Sequence, residues 1–242
     1  MKILLLLLLF ITPALAKNKF NFGVGAGISY ANNFVKNDSS KKIKNGKYGG
    51  TAFPAISFEY GKFAIRGLGA RYSFFGNKSL FDFKLNLRYF GPEYVNQYVS
   101  KRGPSFFGGA SIRLLILNLR YNTDISSKSN GSIFDAYLIF PFKLTNWWIF
   151  MPRIGVEKFS ENFMNHYYGI APHEAVEFSP YSFSESTSMV PAITLGNMFL
   201  PTDWLAIRFM LTYRNLPPEV TNSPIVNGND QFSSVFLFVV TI

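Results

Sequence analysis

The sequence predicts an all-β fold: a transmembrane antiparallel β-barrel of about 12 strands, with 10 as the alternative count, following a cleaved signal peptide. Three observations carry this reading. Apolar residues recur with a period of two along most of the chain, the mark of a strand with one apolar face. The intervening positions hold full charges, amides and glycines, as a water-facing barrel interior requires. Aromatic residues fall at strand ends (Tyr30, Tyr60, Tyr89, Tyr121, Trp147, Trp148, Trp204, Tyr213), where interfacial girdles sit. A soluble sandwich gives the same alternation with its apolar face inside, but it needs neither the charged face nor the girdles.

Composition sharpens the point. The 242 residues include 27 Phe, 13 Tyr and 3 Trp, and only 16% are charged, yet the formal charge is +10. A soluble domain carries about 25% charged residues, so this chain is both too aromatic and too sparsely charged for that class. Disorder is excluded by the same aromatic content. With no cysteine and two histidines, disulfides and cysteine metal sites are excluded.

Lys2, the apolar run Ile3 to Ile11, Pro13 and the small-x-small Ala14-Leu15-Ala16 form a signal-peptide pattern with cleavage expected after Ala16. The run is too short to cross about 30 Å of hydrocarbon as a helix. Cleavage removes Lys2 and lowers the formal charge from +10 to +9. Residues 17–242 then form one barrel domain. Export also argues against a nucleic-acid partner.

Strands are expected in order at 19–30, 52–60, 63–74, 80–90, 105–113, 115–124, 132–143, 147–158, 187–199, 204–215 and 231–242. In the first, Phe20, Phe22, Val24, Ala26, Ile28 and Tyr30 form one face, and the odd positions are Asn, Gly or Ser. Phe81, Phe83, Leu85, Leu87 and Tyr89 alternate with Asp82, Lys84, Asn86 and Arg88. Tight reversals are expected at Tyr60-Gly61-Lys62, Gly76-Asn77-Lys78, Leu144-Thr145-Asn146 and Leu200-Pro201-Thr202. That makes 11 strands. Bacterial single-chain barrels have even numbers, so the twelfth is expected from Tyr94 to Ser100 or from part of 161–186. Long connections fall at 31–51, 91–104, 159–186 and 216–230; the 28 residues of the third are enough for a plug. The last strand places Phe236, Phe238, Val240 and Ile242 on one face, similar to the C-terminal assembly signal of outer-membrane barrels.

Alternation places Asp82, Lys84, Asn86, Arg88, Asn118, Arg120, Asn122, Asp124, Asp135, Tyr137, Arg153, Glu157, Arg208, Thr212 and Arg214 toward the lumen. Six are cations and four are anions, so a weakly anion-leaning channel is one reading. A lumen laced shut by Arg–carboxylate pairs is the favoured one, because so small a barrel is narrow. His166 and His173 are the only imidazoles. Ser160, Ser179 and Ser182 lie near them in sequence, but no nucleophile motif singles one out for a Ser–His hydrolase. Neither catalytic residue, metal site nor cofactor is expected. Lys36, Lys41, Lys42, Lys44 and Lys47 crowd one connection, where lipid or lipopolysaccharide head groups are the simplest partners. The glycines at 23, 25, 27, 67, 69, 108 and 109 stand at strand spacing without a following helix, which argues for close packing and against a phosphate cradle.

Three segments resemble one family. Asn165-His166-Tyr167-Tyr168-Gly169-Ile170-Ala171-Pro172-His173-Glu174-Ala175, Ser223-Pro224-Ile225-Val226, and Pro54 to Phe63 continued by Ile65 to Ala70 are similar in order and spacing to the MipA/OmpV family of Gram-negative outer-membrane proteins. His166, Tyr167, Tyr168, Gly169, Pro172 and Glu174 carry its aromatic motif. The chain departs from the family in its Lys and Asn content and in a compressed 105–124 hairpin. The resemblance implies a monomeric barrel in the outer membrane that scaffolds a murein transglycosylase and a murein synthase; other members have been linked to osmotic response, adhesion and antibiotic uptake. The sequence reading is therefore a non-enzymatic envelope scaffold. The alternatives are a narrow solute channel, a small-molecule or antibiotic-binding barrel, and, less favoured, an outer-membrane lipid hydrolase.

Overall fold

The computed structural model describes residues 20–32, 35–36, 43–45, 48–76, 79–95, 98–175, 177–185 and 189–241. The expected signal peptide, the side chains of the Lys41–Lys47 cluster and Ile242 lie outside that description.

Fourteen strand segments form one antiparallel sheet: β1 (Phe20–Asn32), β2 (Ile43–Asn45), β3 (Tyr48–Tyr60), β4 (Phe63–Arg66), β5 (Gly69–Ser73), β6 (Phe81–Phe90), β7 (Ser105–Leu114), β8 (Leu117–Asp124), β9 (Ser132–Ile139), β10 (Phe142–Lys143), β11 (Trp148–Phe159), β12 (Val190–Thr202), β13 (Leu205–Asn215) and β14 (Asp230–Thr241). β1 pairs with both β14 and β3, which closes the sheet on itself. Twelve strands make the ring; β2 and β10 are short additions paired with β3 and β11. Closure removes every free edge from the ring, which is what lets strands stand in hydrocarbon.

The count of twelve holds, but the twelfth strand comes from elsewhere than expected. The segment 63–74 is two strands, β4 and β5, reversed at Gly67-Leu68. Gly67 has φ +60°, which costs a Cβ-free residue nothing. Among the described residues, Tyr94 to Ser100 contributes one isolated bridge, Tyr94 to Arg102, and the 161–186 stretch holds a helix, a 3₁₀ turn and the isolated bridge Ile170 to Tyr181. Smaller shifts occur at 132–143, which breaks into β9 and β10, and at Leu200 to Thr202, which continues β12 past a bulge so that the reversal falls on Asp203-Trp204.

The two ends of the barrel differ. At one end three reversals are two residues long, Gly61-Lys62, Leu115-Ile116 and Asp203-Trp204, and seven and eight residues join β5 to β6 and β9 to β11. At the other, connections of 7 to 30 residues leave β1, β6, β8, β11 and β13, and β4 turns back through two residues. Short turns face the periplasm and long loops the exterior in such barrels, which orients this one. Trp147, Trp148 and Phe199 stack with centroids 5.7–6.3 Å apart at the short-turn end. Tyr89 against Phe106 (5.0 Å) and Tyr213 against Phe232 (4.8 Å) form the opposite girdle. Between them the outward side chains are apolar and exposed, among them Val24, Ile56, Leu85, Ile112, Ile154, Ile193 and Phe236. Lipid is the medium that makes that surface stable.

Among the described residues, the large buried apolar cluster is not in the middle of the barrel but at its loop end. Its centre is helix α1 (Glu161–Tyr168), which buries Phe163, Met164, Tyr167 and Tyr168 on one face. Those rings meet Phe107, Ile133, Phe159 and Val190 from the strand tips and Tyr94, Leu216, Val220, Ile225 and Val226 from neighbouring connections. The third long connection is thus a plug-like lid held by a core of its own.

Candidate functional site: the charged interior and its lid

The pleat sends alternate side chains of every strand inward, and adjacent strands are in register so that their charges meet. Arg120 on β8 stands opposite Asp135 on β9 and donates its Nε to Oδ2 at 2.6 Å. Arg88, three strands away on β6, reaches the same oxygen at 2.9 Å. Arg214 on β13 spans β12 to hold Glu157 on β11 through Nε (2.9 Å) and Nη2 (3.2 Å). The Tyr137 hydroxyl donates to the same carboxylate, and the Arg153 guanidinium lies 5.0 Å above the Tyr137 ring. Asp135 and Glu157 are almost fully buried. A carboxylate so buried is tolerable only when paired; the Arg88 and Arg120 guanidinium groups do this for Asp135, and the Arg214 fork with the Tyr137 hydroxyl does it for Glu157.

The other two anions have local duties. Asp124 gathers the 125–131 turn, accepting from Ser126 N (2.8 Å) and Oγ (2.7 Å) and from Ser129 N (2.6 Å) and Oγ (2.8 Å). Asp82 does the same for the turn after β5, with Ser73 Oγ at 2.7 Å, Phe75 N at 3.1 Å and Lys84 Nζ at 3.3 Å. Arg208 is inward on β13, with a buried Nε that has no hydrogen-bond partner.

Sequence reasoning missed four inward charges: Glu59, Arg66, Arg71 and Arg113. Arg66 pairs with Glu59, and Arg71 lies 4.0 Å from the same carboxylate. A single strand over 63–74 would turn Arg71 to lipid; the two-residue reversal pairs Arg66 with Gly69 and so inverts the parity of β5. Arg113 was obscured because small residues (Gly108, Gly109, Ala110, Ser111) blur the alternation of β7. Adding these to the six cations and four anions gives nine against five, a surplus of four inside the barrel.

The motif residues form the lid. Ser160 caps α1, its Oγ accepting from Phe163 N at 3.4 Å and from Ser132 N at 2.8 Å, which ties the helix to β9. Tyr94 Oη donates to the Tyr167 carbonyl (2.6 Å) and Ser223 Oγ to the Tyr168 carbonyl (2.6 Å), so two other connections cap the helix's open end. Tyr167 Oη sits 3.2 Å from both Ser105 Oγ and the Gly103 carbonyl. Gly169 ends the helix where an added Cβ would stand 2.5 Å from the Asn165 carbonyl oxygen. Pro172 opens a single 3₁₀ turn that presents Glu174. Glu174 takes Arg102 Nη2 (2.7 Å), Ser100 N (3.0 Å), the Ser100 hydroxyl and Ala171 N (3.2 Å). Burial alone would raise its pKa, but these donors outweigh it and hold the carboxyl at about 2. His166 packs edge-on to Tyr167 at 4.6 Å, and burial lowers its pKa.

The model of the family described as MltA-interacting protein MipA matches residues 22–241, nearly everything the fold comprises. The chain belongs to the MipA family. It is 25% identical over 228 residues to the MltA-interacting protein of Escherichia coli K12, covering 88% of this chain and 86% of that one. It is 27% identical over 152 residues to the putative outer membrane protein YiaT of Escherichia coli K12, and that match spans 59% of each chain. Among solved structures it is similar to the NanC porin, with a TM-score of 0.38 and 12% identity over 91% of this chain and 98% of that one. It is also similar to OprG from Pseudomonas aeruginosa, with a TM-score of 0.26 and 11% identity over 93% and 97%. This MipA-family chain is a closed outer-membrane β-barrel.

Proposed function

We propose that this MipA-family barrel is a non-enzymatic scaffold of the cell envelope whose lumen does not conduct. One observation carries the closed-lumen reading: Arg88, Arg120 and Asp135 on β6, β8 and β9, and Arg214, Glu157 and Tyr137 on β13, β11 and β9, bridge the interior beneath a lid with its own apolar core. A pore needs a continuous wet path, and paired charges under a packed lid interrupt it. The absence of chemistry is supported by Ser160, the serine adjoining α1, whose hydroxyl is spent on the helix cap. A relative's name, MltA-interacting protein, supports murein enzymes as partners, here a murein transglycosylase and a murein synthase. Such partners would meet the short-turn end, which faces the periplasm. The lipid-facing belt and lysine-rich connection take outer-membrane lipid and lipopolysaccharide, and the barrel acts as a monomer.

Two experiments test this. The purified barrel in a planar bilayer gives no stable conductance steps; regular ion-conducting steps would replace the scaffold with a narrow channel. Pull-down from solubilised envelopes recovers murein hydrolases or synthases; recovery of neither refutes the partner assignment.

A further inference from the structure

The nine inward cations are not spread evenly, and their distribution is a second feature of the interior. A cavity of about 430 Å³ lies at the short-turn end, below the Arg120–Asp135 pair. Its rim is apolar (Leu115, Ile116, Pro141, Met151), and its lining holds five cations, Arg71, Lys84, Arg113, Arg120 and Arg153, with no carboxylate among the residues that line it. Three of the five lean on groups behind the wall: Lys84 on Asp82 at 3.3 Å, Arg120 on Asp135 at 2.6 Å, and Arg113 on the Ser79 carbonyl at 3.0 Å. Among the described residues, Arg71 has only the Glu59 carboxylate, 4.0 Å away. Arg153 forms no ion pair among the described residues, and its buried Nε has no hydrogen-bond partner. Asn86 and Asn118 add amide groups to the same wall.

We infer that this cavity is a binding site for a small polyvalent oxyanion entering from the periplasmic side. Clustered like charges in a low-dielectric enclosure repel one another, and a multivalent anion removes that cost while satisfying the unpaired donors. Guanidinium groups present parallel N–H donors that match the geometry of phosphate and carboxylate oxygens. A cavity of this volume is in the range of small-molecule sites, and closure above it by the Arg–carboxylate layer makes it a blind pocket rather than a passage. The blind end rests on the closed-lumen reading of the interior, but a site for a small solute stands whether or not a protein partner docks at the turns.

The test is equilibrium titration of the purified full-length barrel with inorganic pyrophosphate. Acetate serves as the monovalent comparison, and heat-modifiable gel migration reports that each variant is folded. Wild type binds pyrophosphate saturably at one site, more tightly than acetate, and less tightly as salt rises. Arg153→Gln and Arg71→Gln each weaken binding by about tenfold or more, the scale of a lost charge-assisted hydrogen bond. Arg153→Lys, which keeps the charge and loses the fork, recovers part of it. Lys62→Gln, which removes one exposed charge from a turn at the same end of the barrel, leaves binding unchanged. The proposal is overturned by non-saturable binding to wild type, by acetate binding as tightly, or by Lys62→Gln weakening binding as much as Arg153→Gln.

Discussion

Phe163→Ala is the substitution that most directly tests whether the lid is a packed structure rather than a loosely draped loop. The side chain is 1% exposed. Its ring stacks on Phe159 at 4.7 Å, contacts Tyr167 at 4.5 Å, and faces Phe107 and Phe90 at 6.0 and 6.1 Å. Phe107 and Phe159 sit on strand tips and cannot follow the helix inward, so the vacated space cannot collapse. Truncation of a buried phenylalanine under that condition costs about 3–5 kcal/mol. The barrel wall, held by interstrand hydrogen bonds and lipid, does not share the loss. The ratio of closed to open lid therefore falls by roughly 10² to 10³·⁶ at about 1.4 kcal/mol per tenfold. Hydrogen–deuterium exchange on the folded barrel reads this directly: amides of Glu161–Tyr168 lose protection while those of β12 and β13 keep theirs. Unchanged protection of α1 refutes the lid core; equal loss throughout the strands refutes its independence from the wall.

The remaining predictions concern charge and backbone. The Glu174 carboxyl is held at about 2 against an ordinary 4.5, so the stability it gives the lid is complete above 4.5 and is lost as pH falls through 2. Proteolytic nicking near α1 by an acid-active protease should rise across that window, and Glu174→Gln should flatten the profile; a pH-independent wild type refutes the latch. Arg214→Met leaves Glu157 buried without its guanidinium and destabilises the barrel by about 3–5 kcal/mol in urea titrations. Adding Glu157→Gln to that variant restores most of the loss, and failure to do so shows that the pair is not the reason for the effect. Gly67→Val places a β-branched side chain at φ +60° in the β4–β5 reversal and costs about 1–2 kcal/mol or more; an unchanged unfolding midpoint would mean the reversal is not a tight turn.

The charge anomaly of the composition resolves differently in three dimensions than by addition. A formal charge of +10 on a membrane protein is not a general surface property. Part sits on the lysine-rich connection after β1, and a surplus of four lies inside the barrel, concentrated at the short-turn end. Most of the inward cations and anions therefore divide into three groups with separate roles. Asp82 and Asp124 organise turns, Asp135 and Glu157 anchor the cross-links, and Arg71, Lys84, Arg113 and Arg153 line an acid-free pocket.

Sequence by itself determined the class of fold and the face of most strands, because a pleated strand at a lipid boundary must alternate and the period of two survives in one dimension. Phe81 to Phe90 could be read residue by residue for that reason. It also exposed the family motif around His166 to Glu174. Where reading failed, the cause was a change of phase that alternation does not announce. A two-residue reversal at Gly67-Leu68 looks like an interrupted strand, yet it supplied the twelfth strand and turned Arg71 inward. Only tertiary structure decided which charges meet, since Arg88 and Asp135 are 47 residues apart and Arg214 and Glu157 are 57 apart. It alone decided that the aromatic motif is a lid core, because burying Phe163, Tyr167 and Tyr168 requires strand tips and connections from distant parts of the chain. Alternation is a local property of the backbone and is written in the sequence; pairing and enclosure depend on barrel closure, which places residues beside partners that no local pattern encodes.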